Sequence, residues 1–307
     1  MKILNNRFIN VILLIITFIT TTLAGVMWRG LYSPPFTLSQ IASGLEYSFA
    51  ILFIILSHEF GHYFASKIHN VDSTLPYLIP IPPYLFGINF GTMGAIIKTK
   101  SQITNRKALF DIGAWGPFAG FVATFIVLFY GFYTLPGKEY ILKIHPDYFE
   151  NFKKYDFNLT FGDNLLFIIF RKIFYFKEFI PPMNEIYHYP FLCAGWFGLF
   201  ITSMNLIPVG QLDGGHITYA VLGRKRHLII SKLLIFLLFL IGLNSLFFQN
   251  FGSEVWLFWA IILKFVLKES HPPIWIYEDK ISNFRIFLSI LLLIIFILSF
   301  TPSAIYF

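Results

Sequence analysis

Long apolar runs alternate with short polar segments along most of the chain. A membrane-spanning helix needs about 20 mostly apolar residues, and the runs of this length predict about seven spans. The predicted spans cover residues 8–27, 44–66, 109–134, 188–206, 227–248, 254–268 and 285–301, and the sixth is short. The pattern therefore predicts an all-α polytopic membrane protein with about seven transmembrane helices, within a range of six to eight.

The first apolar run has two interpretations. Basic residues precede it, and Thr22-Leu23-Ala24 is similar to a signal-peptide cleavage site. The run reaches Trp28, however, which is long for the apolar core of a signal peptide. An uncleaved transmembrane helix is the preferred interpretation, and a signal peptide is the alternative.

Composition supports a lipid environment. Of the 307 residues, 56% are apolar and only 13% are charged, which is about half the charged share of soluble domains. A chain with so few charges could not cover its surface in water. This excludes an ordinary soluble domain, a disordered chain and a coiled coil. The single cysteine, Cys193, excludes an internal disulfide and a cysteine-based zinc finger.

The basic residues predict the orientation. The net charge is +7, and most Lys and Arg residues between the predicted spans lie on the side of the N-terminus. Basic residues are enriched on the cytoplasmic side of membrane proteins, so this side is expected to be cytoplasmic, in a plasma or inner membrane. Because topology explains the positive charge, the expected partner is the lipid bilayer, and no nucleic acid is expected.

The second predicted span contains a motif with a specific chemistry, His58-Glu59-Phe60-Gly61-His62. Residues i and i+4 share one face of a helix, so both imidazoles can reach one metal ion, and zinc suits such ligands. Glu59 lies one position along, where a general base can take a proton from the water that the metal activates. The alternative is a polar groove in which these side chains bond neighbouring helices.

The motif is expected to lie within the membrane. Ser43 and Glu46 fit a capping box at the start of the helix, which assigns Glu46 to capping rather than chemistry. At about 1.5 Å per residue, His58 lies roughly 12–14 Å and His62 roughly 7–8 Å from the predicted inner end. Ionisable groups at such depth are costly and commonly mark a functional site.

A later segment offers a third ligand. The segment Asn205–His216 (NLIPVGQLDGGH) follows the fourth span, and its proline and glycines would unwind a helix. Non-helical backbone at membrane depth is tolerated only inside the protein or beside a wet cavity. Asp213 would reach the same side of the membrane as His62 and is the expected ligand, with a helix N-cap as its alternative role. His216 could also ligate, although a core or surface histidine fits it better.

Together the two motifs resemble the site-2 protease family of intramembrane zinc metalloproteases. That family pairs an H-E-x-x-H helix with a later N-x-x-P…D-G segment, which is matched here by Asn205–Pro208 and Asp213-Gly214. The resemblance covers about residues 44–222. Three segments are similar to the branch found in cyanobacteria and chloroplasts: Leu75–Pro80, Asn105–Asp111 and Gly210–His216. Many family members carry a PDZ domain, and no stretch of this sequence fits one.

The resemblance implies a role for each site residue. His58, His62 and Asp213 would hold one Zn²⁺ per chain, and Glu59 would be the general base. Asn205 would place its amide near the scissile carbonyl, although a helix C-cap is a simpler role for it. The chain would then have three parts: an N-terminal transmembrane helix and outer loop (1–43), a catalytic membrane core (44–222) and C-terminal transmembrane helices (223–307).

A small membrane-associated β-hairpin is expected between the second and third spans. Four prolines disfavour helix within residues 75–99, and Gly94-Ala95-Ile96-Ile97 has the pattern of a short strand. The family has a strand or hairpin here that pairs with extended substrate, so the resemblance assigns Gly91 and Gly94 to a substrate-strand region. A proline-rich connector is the alternative.

Two other features have less specific interpretations. Gly116 and Gly120 have the GxxxG spacing that favours close helix packing over a site. The outer stretch 135–187 contains an apolar segment, Leu165–Phe170, that is too short to span and is expected to be an interfacial helix. This stretch could gate substrate entry or form an aromatic-rich surface loop.

The expected function is that of an intramembrane zinc metalloprotease that cleaves in or near a transmembrane segment of a membrane-protein substrate. The alternative is a non-proteolytic metal-binding membrane protein, either a divalent-metal transporter or an inactive protease homologue. Transporters often have paired broken helices, whereas this sequence has one broken segment. The sequence leaves the substrate, the trigger for cleavage and the oligomeric state open.

Overall fold

The structure is a computed structural model that describes residues 7–30, 35–83, 90–150, 159–248, 251–274 and 280–306. These residues are mostly helical and include two small two-stranded sheets. The predicted helical class and the predicted hairpin are therefore confirmed.

Helices form at each of the predicted apolar runs. The described α-helices are α1 (Arg7–Trp28), α2 (Leu38–Ser43), α3 (Leu45–Ile68), α4 (Arg106–Tyr133), α5 (Lys138–Ile144), α6 (Leu165–Ile173), α7 (Pro190–Leu206), α8 (Asp213–Leu222), α9 (Arg224–Phe248), α10 (Glu254–Phe265) and α11 (Asn283–Ser299). The described strands are β1 (Tyr77–Pro80), β2 (Thr92–Ile96), β3 (Thr160–Phe161) and β4 (Ile305–Tyr306).

Four helical segments are long and apolar enough to cross a membrane: Phe8–Trp28, Leu38–Ile68, Arg106–Tyr133 and Arg224–Phe248. The apolar helices α7 and α11 have 17 residues each and extend about 25 Å, less than the roughly 30 Å of a hydrocarbon core. The predicted sixth span forms only the 12-residue α10. The described residues thus support four candidate spans and do not support the predicted count of seven, because several apolar runs continue beyond the ends of their helices.

The start of α3 differs from its prediction. Ser43 ends α2, whose capping box is formed by Thr37 and Gln40, and α3 begins without a side-chain cap. Glu46 forms an ion pair with Arg29, just beyond the end of α1. The predicted capping box of Ser43 and Glu46 is therefore wrong, because a separate short helix precedes α3 and takes its own cap from upstream.

The β-hairpin is an antiparallel pair of β1 and β2, in which Tyr77 faces Ile96 and Pro80 faces Thr92. Its register is irregular before Pro80, where a proline cannot donate a hydrogen bond. The hairpin packs on α1, and the Asn10 side chain donates to a carbonyl oxygen just before β1 over 2.8 Å. The hairpin is thereby fixed to the first helix.

A charged cluster at the start of α4 joins three helices. Asn105 caps α4 by accepting a hydrogen bond from a backbone N–H of its first turn over 2.7 Å. Asp111 accepts two bonds from Arg285 of α11, at 2.9 and 2.5 Å, and lies 2.6 Å from the ring of His69 after α3. A two-point arginine–carboxylate pair is directional, so this cluster fixes the relative positions of α3, α4 and α11.

The outer stretch 135–187 contains the predicted short helix as α6. Its first turn is capped by Asn164, and Phe167 and Phe170 are buried. Its helical form is confirmed, and its place at the membrane interface stays a prediction. Residues 151–158 of the same stretch lie outside the described residues.

The core is centred on α3, α4 and α7, which pack against one another. A Cβ at Gly61 of α3 would lie 2.3 Å from the carbonyl oxygen of Trp115 in α4, so the glycine allows the two backbones to approach closely. On α7, Trp196 and Phe197 are fully buried. This three-helix contact positions the helix that carries His58 and His62.

Candidate metal centre and active site

Asp213, which is distant in sequence, meets two histidine side chains of α3. The Nε2 atoms of His58 and His62 lie 3.0 Å apart, and each lies 3.4 Å from Asp213 Oδ2. Ligand atoms around a tetrahedral zinc, with bonds of about 2.0–2.2 Å, are roughly 3.3–3.6 Å apart. Two of the three spacings match this range and the third is slightly shorter. Two imidazoles and a carboxylate are also a donor set that zinc prefers, so the residues fit the ion.

A tight turn after α7 brings Asp213 to the imidazoles. Gly210 has a φ of +55°, and a Cβ at Gly214 would lie 2.0 Å from the carbonyl oxygen of Leu206, so both positions require glycine. The N-cap of α8 is Leu212, which makes no side-chain cap bond. Asp213 therefore does not have the alternative N-cap role, and its carboxylate faces the two histidines.

A backbone carbonyl orients one of the imidazoles. His62 Nδ1 lies 2.6 Å from the carbonyl oxygen of Ile112 in α4. With the proton on Nδ1, the ring donates this hydrogen bond and its Nε2 lone pair is left for a metal. Metal-binding histidines commonly have such a partner, so Ile112 is a positioning residue that the motif alone does not indicate.

Two glycines of α4 pack directly against the imidazoles. A Cβ at Gly116 would lie 2.2 Å from the ring of His62, and a Cβ at Gly120 would lie 3.0 Å from His58. The GxxxG spacing correctly predicts close packing, but the partner it packs against is the face of α3 that carries His58 and His62. These glycines therefore make room for the ligands, which the sequence pattern alone could not show.

Glu59 and Asn205 lie next to the three ligands. Glu59 is only 8% exposed and lines the same cavity as His58. Asn205 lies within α7, whose C-cap is Ile207, so the simpler C-cap role does not apply to it. Its Nδ2 is 3.4 Å from His58 Nε2, which puts an amide beside the candidate metal centre.

The other candidate ligand is directed elsewhere. His216 Nδ1 lies 2.7 Å from His271 Nε2, and His216 is not part of the ligand group formed by His58, His62 and Asp213. The structure therefore pairs His216 with another histidine at the edge of the site.

A cavity of about 1860 Å³ opens onto the site and is lined on one side by β2. Gly94 lies on this wall with a φ of +90°, and no atom lies within 4 Å of the position of an added Cβ. Gly91 faces away from the cavity and packs on α1, where Thr20 donates to its carbonyl oxygen over 2.6 Å. Of the two glycines predicted for a substrate strand, only Gly94 borders the cavity, and that role stays a prediction.

The fold and the site together define a class: a helical membrane protein in which an H-E-x-x-H helix faces a distant aspartate at metal-ligand spacing. Residues 46–249 match the model of peptidase family M50, and the chain belongs to this family. Membership confirms the resemblance to site-2 proteases.

Curated relatives are named as zinc metalloproteases of the chloroplast. Probable zinc metalloprotease EGY2, chloroplastic, of Oryza sativa subsp. indica is 31% identical over 223 residues, or 72% of this chain and 36% of that protein. Probable zinc metalloprotease EGY1, chloroplastic, of Arabidopsis thaliana is 30% identical over 185 residues, or 60% of this chain and 31% of that protein. The chain thus spans about a third of the length of these relatives. No solved structure matches it.

Proposed function

We propose that the protein is an intramembrane zinc endopeptidase that hydrolyses a peptide bond in or near a transmembrane segment of another membrane protein. The observation that carries this proposal is the meeting of Asp213 at ligand spacing with His58 and His62, which lie on a helix apolar enough to span a membrane. Family membership supports the peptidase chemistry. The place of the site within an apolar helix supports a substrate that shares the membrane.

Each site residue has a proposed role. His58, His62 and Asp213 hold the zinc ion, which when bound polarises the scissile carbonyl and lowers the pKa of water. Glu59 takes the proton from the attacking water and passes it to the leaving amide nitrogen. Asn205 donates a hydrogen bond to the carbonyl oxygen as negative charge develops there.

The proposed substrate binds as an extended strand. In a helix, each carbonyl is shielded by its own hydrogen bond, so the cleaved segment must unwind first. The sheet of β1 and β2 has two strands, and β2 borders the cavity that contains the site. An added strand on β2 would gain backbone hydrogen bonds and lie in the cavity that Glu59 also lines.

We also propose that the chain has three parts. Residues 1–43 form an N-terminal membrane helix and outer loop, residues 44–222 form the catalytic core, and residues 223–307 form C-terminal membrane helices. We place the N-terminus and the opening of the active site on the cytoplasmic side of a plasma or inner membrane. The shorter helices α7, α10 and α11 would complete seven membrane segments.

The substitution Glu59→Gln tests the proposed chemistry. Glutamine keeps the shape of the side chain but cannot take up the proton, so cleavage of a model transmembrane substrate should fall at least about 100-fold. Zinc content, measured by elemental analysis, should be unchanged because Glu59 is not a ligand. Glu46→Gln is the matched control, since Glu46 lies on the same helix but pairs with Arg29.

Two results would contradict this proposal, the first its mechanism and the second its activity. One is full cleavage by the Glu59→Gln variant, which would show that Glu59 is not the general base. The other is a wild-type protein that holds zinc but cleaves no transmembrane substrate, which would favour the non-proteolytic metal-binding alternative.

A further inference from the structure

A second group of metal-ligating side chains lies in the outer part of the chain. His145 follows α5, and Glu185 and His188 lie at the two ends of a short 3₁₀ helix before α7. The Nε2 atoms of His145 and His188 are 3.2 Å apart, and each lies 3.4 Å from Glu185 Oε2. These spacings resemble those of the first site and the roughly 3.3–3.6 Å expected around a tetrahedral zinc.

The Glu185 side chain is buried without a hydrogen-bond partner. Its side chain is 0% exposed and that of His188 is 2% exposed. Among the described residues, neither carboxylate oxygen of Glu185 accepts a hydrogen bond, because the two imidazoles near it lack the required geometry. A buried carboxylate is strongly unfavourable unless it is paired or binds a metal. The two ring nitrogens that face Glu185 Oε2 are metal-ligating atoms, so a shared cation would satisfy all three groups.

Local backbone structure holds the three ligands together. Residues i and i+3 of a 3₁₀ helix lie on the same side, and the His188 N–H donates to the Glu185 carbonyl oxygen over 3.1 Å. The Tyr140 hydroxyl of α5 donates to the His188 carbonyl oxygen over 2.7 Å. This bond docks α5 against the start of α7 and brings His145 to the other two ligands.

We propose that His145, Glu185 and His188 bind a second divalent cation, for which Zn²⁺ is the best-suited ion. Two imidazoles and one carboxylate form a known set of three protein ligands for zinc. The site lies before the start of α7 and Asn205 lies near its end, so about 25 Å of helix separates the two centres. The cation would join α5 to the start of α7, and its binding does not depend on the proposed peptidase activity.

A protonated Glu185 is the alternative to a bound cation. Burial raises the pKa of Glu185 to about 8, so without a metal the carboxyl would be largely neutral at pH 7. The two states differ in metal content, which can be measured directly.

Zinc content per chain tests this proposal. The full chain, purified in detergent, is equilibrated with Zn²⁺, freed of excess ion and analysed for elemental zinc. The wild type should hold about two ions per chain, and Glu185→Gln and His145→Gln should each hold about one. Glu178→Gln is the matched control, because Glu178 lies exposed in the same outer stretch, and it should still hold about two.

A variant of the first site separates the two centres. Asp213→Asn should reduce the zinc content to about one ion, and the double variant Asp213→Asn with Glu185→Gln should hold none. The proposal would be overturned if both Glu185→Gln and His145→Gln held two zinc ions per chain. It would also be overturned if the wild type held one zinc ion per chain and both variants held one as well. If Glu185→Gln unfolds and loses all its zinc, the result for His145→Gln decides, since that side chain is 18% exposed and its replacement disturbs packing less.

Discussion

The two histidines of α3 depend on residues of α4 that carry no reactive group. Gly116 and Gly120 leave the space that the imidazoles occupy, and the carbonyl oxygen of Ile112 fixes the ring of His62. A larger side chain at Gly116 would collide with the His62 ring and push it out of position. The geometry of the site is therefore set by the surface of the neighbouring helix.

Gly116→Ala should weaken metal binding. The added Cβ would lie 2.2 Å from the His62 ring, so zinc affinity should fall about 10–100-fold, as it does when residues that support a ligand are lost. Gly131→Ala is the matched control. Gly131 lies at the far end of α4, and a Cβ there would be 2.9 Å from a side-chain atom of Phe191 in α7. Both variants should lower the unfolding temperature, but only Gly116→Ala should change zinc affinity. Equal zinc affinity in the two variants would contradict the role assigned to Gly116.

At the level of single residues, the sequence predicted the groups that the structure brings together at the candidate site. The two histidines of an H-E-x-x-H motif share one face of a helix, as His58 and His62 do here. Both lie close to Asp213, which agrees with its choice as the third ligand. The roles of Ile112 and Gly116 could not be predicted in this way. A carbonyl oxygen has no sequence signature, and a GxxxG spacing does not name the helix that it contacts.

The β-hairpin is the element that separates the cavity from α1. Its strand β2 borders the site with open space above Gly94, whereas Gly91 holds the hairpin against α1. Two neighbouring glycines with positive φ angles thus have different surroundings, one facing empty volume and one facing backbone.

Gly94→Val should impair cleavage without removing zinc. Alanine and valine at this position both meet the strain of a φ of +90°, which is greater for the β-branched valine, and only valine fills much of the space proposed for substrate. We expect kcat/KM for a transmembrane substrate to be about tenfold lower for Gly94→Val than for Gly94→Ala, at equal zinc content. Equal kcat/KM values in the two variants would argue against substrate binding at β2.

Element positions were more predictable than element ends. The apolar runs located α1, α3, α4 and α9, because burial and lipid exposure both require apolar side chains. They could not show that α10 ends at Phe265, since apolar residues continue past the end of that helix. The cap of α3 was predicted wrongly, because Ser43 has the sequence pattern of an N-cap but is the last residue of α2.

On the scale of the whole molecule, the two candidate metal sites lie toward opposite ends of α7. One is near Asn205, and the other precedes Pro190. If α7 crosses most of the membrane, the two centres face opposite sides. The proposed orientation then places the active site toward the cytoplasm and the second cation on the outer side.

Labelling of single cysteines tests this orientation. After Cys193→Ser, cysteines at Lys100 and Lys138, which are exposed on either side of α4, should react with an impermeant thiol reagent from opposite faces of the membrane. A cysteine at the neighbouring Glu139 should label like one at Lys138. Labelling of Lys100→Cys and Lys138→Cys from the same face would remove α4 from the set of spans.

Contacts between residues that are distant in sequence were the least predictable feature. Asp213 was chosen because its chemistry and its side of the membrane suited a metal. The group of His145, Glu185 and His188 was missed, since 40 residues separate the first ligand from the second and no metal-binding motif includes them. A cluster of this kind becomes visible only when the chain is folded.

The late position of Asp213 has a consequence for biosynthesis. A chain emerging from the ribosome inserts α3 and its two histidines long before the aspartate has been translated. Until then the nascent protein lacks one of the three proposed zinc ligands, so the proposed peptidase activity cannot begin. Under the proposed function, the order of the proposed ligands along the chain delays peptidase activity until the core has been made.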